Sequence, residues 1–101
     1  MNENLKESFR LINNVIFSNS NYAEAFALRA FIYYKLNEYI NSLNDIKIAL
    51  RLKPFLSKML VLESTIYYSL NRFIEAIDSM QLALKIEPFN KIYLKNLINY
   101  S

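Results

Sequence analysis

One segment of this chain, Ala23 to Leu56, recurs from Ser57 to Asn90, and this repetition limits the fold more than any other feature. At an offset of 34 residues the copies agree at Leu28/Leu62, Ile32/Ile66, Tyr33/Tyr67, Tyr34/Tyr68, Leu36/Leu70 and Asn37/Asn71. Agreement resumes at Ile40/Ile74, Ala49/Ala83, Leu50/Leu84, Pro54/Pro88 and Phe55/Phe89. A period of this length marks a stacked repeat, each copy hiding its apolar face against its neighbours. The work expected of such a chain is binding.

The composition says which elements fill the repeat. Gly is absent and there are only 2 Pro in 101 residues, so tight turns and hairpins have few places to form. Long helices with short connections are the natural outcome, about six of them in one domain with a thin core. Without Cys there is no disulfide or thiolate chemistry, and without His the commonest metal ligand and general base are missing. The net charge is +3, but Lys53, Lys58, Lys85 and Lys91 fall at or beside expected helix ends. There some of them complement helix dipoles, and together they make a solvated surface, so no basic stripe for nucleic acid is expected. The densest apolar stretch, Ala25 to Leu36, is broken by Arg29 and Lys35, which argues against membrane insertion. Met1 to Lys6 has neither a signal nor a transit pattern, and a cytoplasmic location is the expectation.

Apolar periodicity places the first helix over Glu3 to Phe17, with Leu5, Phe9, Ile12 and Ile16 recurring and Ser8 and Val15 on the same broad face. Ser18 to Asn21 reads as a polar turn, and Asn21 with Glu24 as a capping pair opening a helix that runs to about Leu36. Phe26, Ala30, Tyr33 and Leu36 share one side of it. Asn37 and Asn71 suit left-handed helix ends. The third helix, Tyr39 to Lys53, turns Leu43, Ile46, Ala49 and Leu50 inward and stops at Pro54. The pair recurs over Lys58 to Leu70 and Phe73 to Glu87, Pro88 ends it, and Asn90 caps a sixth helix. Short links make neighbouring helices antiparallel.

With these residues in place the chain resembles the tetratricopeptide repeat. That family pairs a bulky residue, a small one and Tyr on the first helix with a small, a bulky and an Ala position on the second, then Pro. The first copy supplies Phe26, Ala30, Tyr33, Ser42, Ile46, Ala49 and Pro54; the second supplies Leu60, Ser64, Tyr67, Ala76, Met80, Ala83 and Pro88. One period earlier, Leu5, Ser8 and Val15 align with Tyr39, Ser42 and Ala49. The resemblance therefore covers the whole chain as a half repeat over 1–22, repeats over 23–56 and 57–90, and a terminal helix over 91–101. It departs from the family at Ala30, Ser64, Asn37 and Asn71, where Gly is often found. The fold it implies is an all-α, right-handed α-solenoid of antiparallel helix pairs. A related RNA-reading repeat has a period of 35 and fits less well. Pro54 and Pro88 also break any continuous coiled coil.

By the resemblance, first helices line a concave groove. Glu24, Ala27, Phe31, Tyr34 and Lys35 would face it from the second helix. Lys58, Val61, Thr65, Tyr68 and Ser69 would do so from the fourth, and Ile92, Lys95, Asn96 and Asn99 from the sixth. The peptide-contacting set expected from these is Phe31, Tyr34, Lys35, Lys58, Thr65, Tyr68, Lys95 and Asn99. Tyr34 and Tyr68 lead it, turned about 100° around the helix from Tyr33 and Tyr67, which pack inward. An exposed Tyr offers area and a hydroxyl, although the same residues could simply cap the helix seam. One subfamily clamps chaperone C-terminal carboxylates with Lys, Asn and Arg. Here those positions hold Ala27, Phe31, Leu62, Ile92 and Asn96, almost without donors.

Asp45, Asp78, Glu38 and Glu75 read as helix-start or outer-face charges, and Ser42 and Ser79 have no activating base. No carboxylates cluster at metal-ligand spacing, and Asn99-Tyr100-Ser101 matches a glycosylation acceptor by chance. At the ends, Leu94, Leu97 and Ile98 are expected to pack back while Ile92, Tyr93 and Tyr100 stay on the circumference. Phe9 and Ile12 lack the partner helix of a complete repeat. Either an end then buries against another chain, giving a homo-oligomer through terminal helices, or the chain is part of a longer array. The competing expectation is a monomer with rotated end helices. The leading function is a non-catalytic, cofactor-free module holding a protein partner's peptide or helix, and the alternative is a self-assembling structural segment. Nucleic-acid binding ranks lower because 9 acidic residues are interspersed among 12 basic ones, and an enzyme ranks last.

Overall fold

The computed structural model describes residues 3–100 and contains six helices and no strand among them. It divides into two compact units, Met1–Pro54 and Phe55–Ser101. The first holds α1 (Glu3–Ser18), α2 (Ala23–Lys35) and α3 (Tyr39–Leu52). The second holds α4 (Ser57–Ser69), α5 (Phe73–Ile86) and α6 (Lys91–Tyr100). Within the first, α2 packs on α1 and α3; within the second, α5 packs on α4 and α6.

Local chemistry sets the ends of these helices. Asn37 and Asn71 are left-handed, with φ of 59° and 61°. Around Asn37, its own N–H reaches Tyr34 O at 2.9 Å and the Glu38 N–H reaches Tyr33 O at 2.9 Å. Around Asn71 the same bonds run to Tyr68 O at 3.0 Å and from the Arg72 N–H to Tyr67 O at 2.8 Å. The last carbonyls of α2 and α4 are thus occupied by the turn itself, a geometry that a β-branched residue would resist. Lys53 and Glu87, each before a proline, leave the helix with φ of −137° and −126°, as the proline ring demands of its predecessor. Asn90 caps α6, its Oδ1 accepting the Tyr93 N–H at 3.1 Å.

One expected cap is absent. Asn21 does not close α2; the N-cap is Tyr22, which makes no side-chain bond to the helix. The Asn21 N–H is taken instead by Asn19 Oδ1 at 3.1 Å, an Asx turn that starts the helix one residue later.

In the first unit, Phe26, Ala30, Leu43, Ile46 and Ala49 are buried, and Ser42 donates to Ala30 O at 2.8 Å. In the second, Leu60, Tyr67, Ala76, Met80 and Ala83 are buried, and Ser64 donates to Ala76 O at 2.7 Å. Small residues at both crossings allow close helix approach, and each hydroxyl is satisfied by the carbonyl it meets. Against expectation, Phe9 and Ile12 are not left without a partner. Ile12 is buried with Ala25 and Ile32, joined by Leu5, Ile16 and Leu36, while the Phe9 ring meets Tyr33 edge-on at 5.3 Å. Val15 and Ser8 lie outside this cluster and are exposed, because α1 docks on α2 through a narrower stripe.

The left-handed turns give a direct test. Asn71→Gly should leave thermal unfolding unchanged or raise its midpoint, whereas Asn71→Val should lower stability by about 1–2 kcal/mol in a urea titration.

Candidate functional site

The paired helices hold polar pairs that sequence reasoning placed wrongly. Asp45 was expected as a helix-start or outer-face charge, but it is buried, and Arg29 grips it with Nε to Oδ2 at 2.7 Å and Nη2 to Oδ1 at 2.8 Å. The remaining Arg29 donor, Nη1, reaches Asn13 Oδ1 at 3.0 Å, so one guanidinium ties α1, α2 and α3 together. Its charged face also lies over the Phe26 and Tyr33 rings, 5.6 and 5.8 Å from their centroids. The hydrogen bonds from Arg29 to Asp45 strengthen its hold on its proton, outweighing the partial burial that opposes it. One period later the places of Arg29 and Asp45 hold Glu63 and Ser79, and Ser79 Oγ donates to Glu63 Oε1 at 2.7 Å. Bond direction and charge differ, but the bridged positions are the same.

The second unit has its own tie at the mouth of α6. Ser57 at the start of α4 and Tyr93 on α6 both donate to Glu87 Oε2, the latter at 3.0 Å. These bonds, Ser57's first, hold the Glu87 carboxyl below the usual carboxylate range despite some desolvation. Burial and the adjacent Glu87 carboxylate push the Tyr93 phenol up, against the bond from Ser57. Tyr93 was expected on the circumference and is buried instead, while Leu94 and Ile98, expected to pack back, are exposed. The Glu87 tie decides this by rotating α6 so that Tyr93 faces inward.

The expected peptide-contacting residues fall into two groups. In the first unit Phe31, Tyr34 and Lys35 stand three and four residues apart on one face of α2, Phe31 and Lys35 exposed and Tyr34 half-buried. Tyr34 stacks on Tyr39 at 5.9 Å across the left-handed turn. In the second unit Lys58 is exposed, while Thr65 is half-buried with its Oγ1 donating to Val61 O at 2.9 Å. Tyr68 keeps 43% of its surface exposed. It meets Phe73 edge-on at 5.2 Å and Tyr100 in a stack at 4.7 Å, which brings the ends of α4 and α6 together. Lys95 and Asn99, four residues apart on α6, are exposed. Sequence reasoning missed the aromatic neighbours of the lead tyrosines. The signal was available, since Tyr39 and Phe73 each stand five residues beyond a lead Tyr, across a turn that folds back.

Chemically each of the two groups offers aromatic area, hydroxyl and ammonium functions within its own unit. Glu24 is paired with Lys53 at 2.6 Å and Glu75 with Arg72 at 2.6 Å, and both carboxyls are held below their ordinary range by these hydrogen bonds. Among the described residues no three acidic side chains gather as a metal site, and no helix is long and apolar enough to cross a membrane. A shallow depression lined by Asp78, Gln81, Leu82 and Lys85 lies along α5 alone.

Residues 57–90 match the tetratricopeptide-repeat family model. No curated protein is matched by the sequence. Among solved structures the chain is similar to the first TPR domain of Spaghetti (RPAP3) bound to the HSP90 peptide SRMEEVD. That likeness has a TM-score of 0.89 and 18% identity, covering 96% of this chain and 77% of that one. It is also similar to the second TPR domain of human RPAP3 in complex with the HSP70 peptide SGPTIEEVD, with a TM-score of 0.85 and 24% identity over 95% of this chain and 80% of that one. A third likeness is to the MamA RS-1 ArsTM double mutant, with a TM-score of 0.86 and 16% identity over 97% of this chain and 55% of that one. The expected all-α fold of paired helices is the fold of these domains.

The Glu87 tie makes stability depend on pH. A carboxyl lowered in the folded state stabilises above its unfolded value and loses that contribution as pH falls through its folded one. Glu87→Gln should therefore lower the melting temperature at neutral pH. It should also shrink the drop in melting temperature between about pH 7 and pH 3, without abolishing it, since Glu7, Glu24 and Glu75 are lowered as well.

Proposed function

We propose, from a chain that carries a tetratricopeptide repeat at residues 57–90 and the fold of tetratricopeptide-repeat domains along nearly its whole length, that it is a non-catalytic protein-interaction module. Its partner is a peptide or helix laid against the first helices of its repeats. The observation that carries the reading is Tyr68, an exposed tyrosine held in place by Phe73 and Tyr100 on either side. A ring already fixed by its neighbours loses little freedom when a partner covers it, and such residues tend to dominate interface energy. Lys58 and Lys95 on the same unit favour a partner carrying carboxylates beside an apolar side chain for Tyr68, and within the first unit Phe31 and Lys35 on α2 offer the same combination.

Two of the similar domains were solved with HSP90 and HSP70 peptides, which supports a peptide as the class of partner. A grip on a terminal carboxylate of the chaperone-clamp kind is not part of the proposal. At its positions Ala27 is half-buried, Leu62 is buried, Phe31 and Ile92 are exposed and apolar, and only Asn96 carries a polar group. A carboxylate needs converging donors, and these side chains do not provide them.

Capture of partners from the native lysate by the immobilised chain tests the reading. Tyr68→Ala should weaken the retained partner at least ~10-fold, about 1.4 kcal/mol, with helix content unchanged by circular dichroism. Retention unaffected by Tyr68→Ala and by Tyr34→Ala together would show that the working surface lies elsewhere. The peptides SRMEEVD and SGPTIEEVD should bind no more tightly than scrambled controls.

A further inference from the structure

Each repeat ends in the same exposed turn. Pro54-Phe55 and Pro88-Phe89 are the two central residues of the turns that lead into α4 and α6. In the second of these the Asn90 N–H returns to Glu87 O at 3.1 Å, and the proline ring fixes its own φ, so Phe89 sits at the tip. Phe55 is 78% exposed and Phe89 94%. Three helices follow Phe55 and none of them covers it, so this exposure belongs to the turn itself. Both tips lie at one end of the second unit. Ser57, two residues after Phe55, donates to Glu87, two residues before Phe89, and its oxygen stands 3.5 Å from the Tyr93 hydroxyl.

The open charge around these rings is of one sign. Lys85 in the last turn of α5 and Lys91 at the start of α6 flank Phe89, and both are exposed. Neither has a carboxylate partner among the described residues. Glu87, the acid between them in the sequence, is occupied by Ser57 and Tyr93 and lies beside Lys58, whose charge offsets it. The opposite end of the unit differs: there Arg72 is paired with Glu75 at 2.6 Å, and Phe73 packs against Tyr68. A bare ring must be ordered before it can fill a shaped pocket on a protein, and that ordering opposes binding. The interfacial layer of a bilayer takes up apolar side chains without fixing their orientation. Anionic headgroups above that layer complement the two ammonium groups.

We propose that the second unit docks peripherally on an anionic phospholipid bilayer through this end. Phe55 and Phe89 enter the interfacial layer, while Lys85 and Lys91 keep their ammonium groups among the headgroups and lay their methylene stems along it. Among the described residues no helix is long and apolar enough to cross the bilayer, and this contact requires none. The docking is independent of the peptide-binding reading, since Tyr68 stands at the other end of α4.

Sedimentation of the whole chain with vesicles tests the docking. The chain should bind vesicles of phosphatidylcholine mixed with phosphatidylserine at least ~10-fold more tightly than vesicles of phosphatidylcholine alone, and high salt should remove that preference. Phe55→Ser combined with Phe89→Ser should weaken binding to the mixed vesicles at least ~10-fold. Both residues are exposed, so helix content by circular dichroism should be unchanged, and a captured peptide partner should still be retained. Lys85→Gln combined with Lys91→Gln should erase most of the preference for phosphatidylserine. The proposal is overturned if the unaltered chain does not bind the mixed vesicles, if it ignores lipid charge, or if the double Phe variant binds as well as the unaltered chain. It is also overturned if the double Phe variant loses a captured protein while keeping its vesicles, which would make the two turns a protein contact.

Discussion

Each unit depends on one close helix crossing where a serine hydroxyl of one helix meets a backbone carbonyl of its partner. At Ala30 with Ser42, and again at Ser64 with Ala76, no side chain is larger than a hydroxymethyl group, and all four residues are fully buried. That lets the axes approach until Ile46 and Met80 are shut off from solvent beside them. The hydroxyl also supplies a donor to a carbonyl that the helix already uses, so polarity is satisfied without widening the gap. The other pairings within a unit, Arg29 to Asp45 and Ser79 to Glu63, are possible only because this crossing fixes the register of the helices.

The parts of the fold legible in the sequence were those decided within a few residues. Asn37 and Asn71 announce left-handed turns, Pro54 and Pro88 force their predecessors out of the helix, and Asn90 caps the last helix. The residues read wrongly were those whose state depends on a distant partner. Asp45 looks like a surface charge until Arg29, on the neighbouring helix, is known to face it. Tyr93 looks exposed until Ser57 and Glu87 draw it in, and that rotation is what leaves Leu94 and Ile98 in solvent. Of the candidate contact residues, exposure follows helical phase for Phe31, Lys35, Lys58, Lys95 and Asn99. Tyr34 is more covered than its phase suggests, because Tyr39 returns across the turn to stack on it.

Each unit is also tied by a single polar node touching three helical segments. Arg29 connects Asn13 and Asp45, and Glu87 connects Ser57 and Tyr93. A directional bond is lost when either helix shifts along the other, so such nodes resist sliding more than apolar contacts of similar area do. The surface above inherits this rigidity. Tyr68 presents a ring whose orientation is set by its own unit, since the helix bearing Tyr100 is held at its other end by Tyr93.

Duplication brings a hazard that the crossings themselves answer. Two helix pairs built on one pattern can fold with the wrong partners, α2 against α5 or α4 against α3, because their apolar patterns are interchangeable. In the first mismatch Ala30 would meet Ala76 and Arg29 would meet Ser79, leaving a carbonyl without its hydroxyl and a guanidinium without its carboxylate. In the second, Ser64 would meet Ser42 and Glu63 would meet Asp45, placing two carboxylates together in the helix seam. Because serine and alanine, and the charged partners, sit on opposite helices in the two repeats, only the native pairing leaves every one of these groups matched. The divergence between the copies therefore works as an address, telling each helix which neighbour is its own.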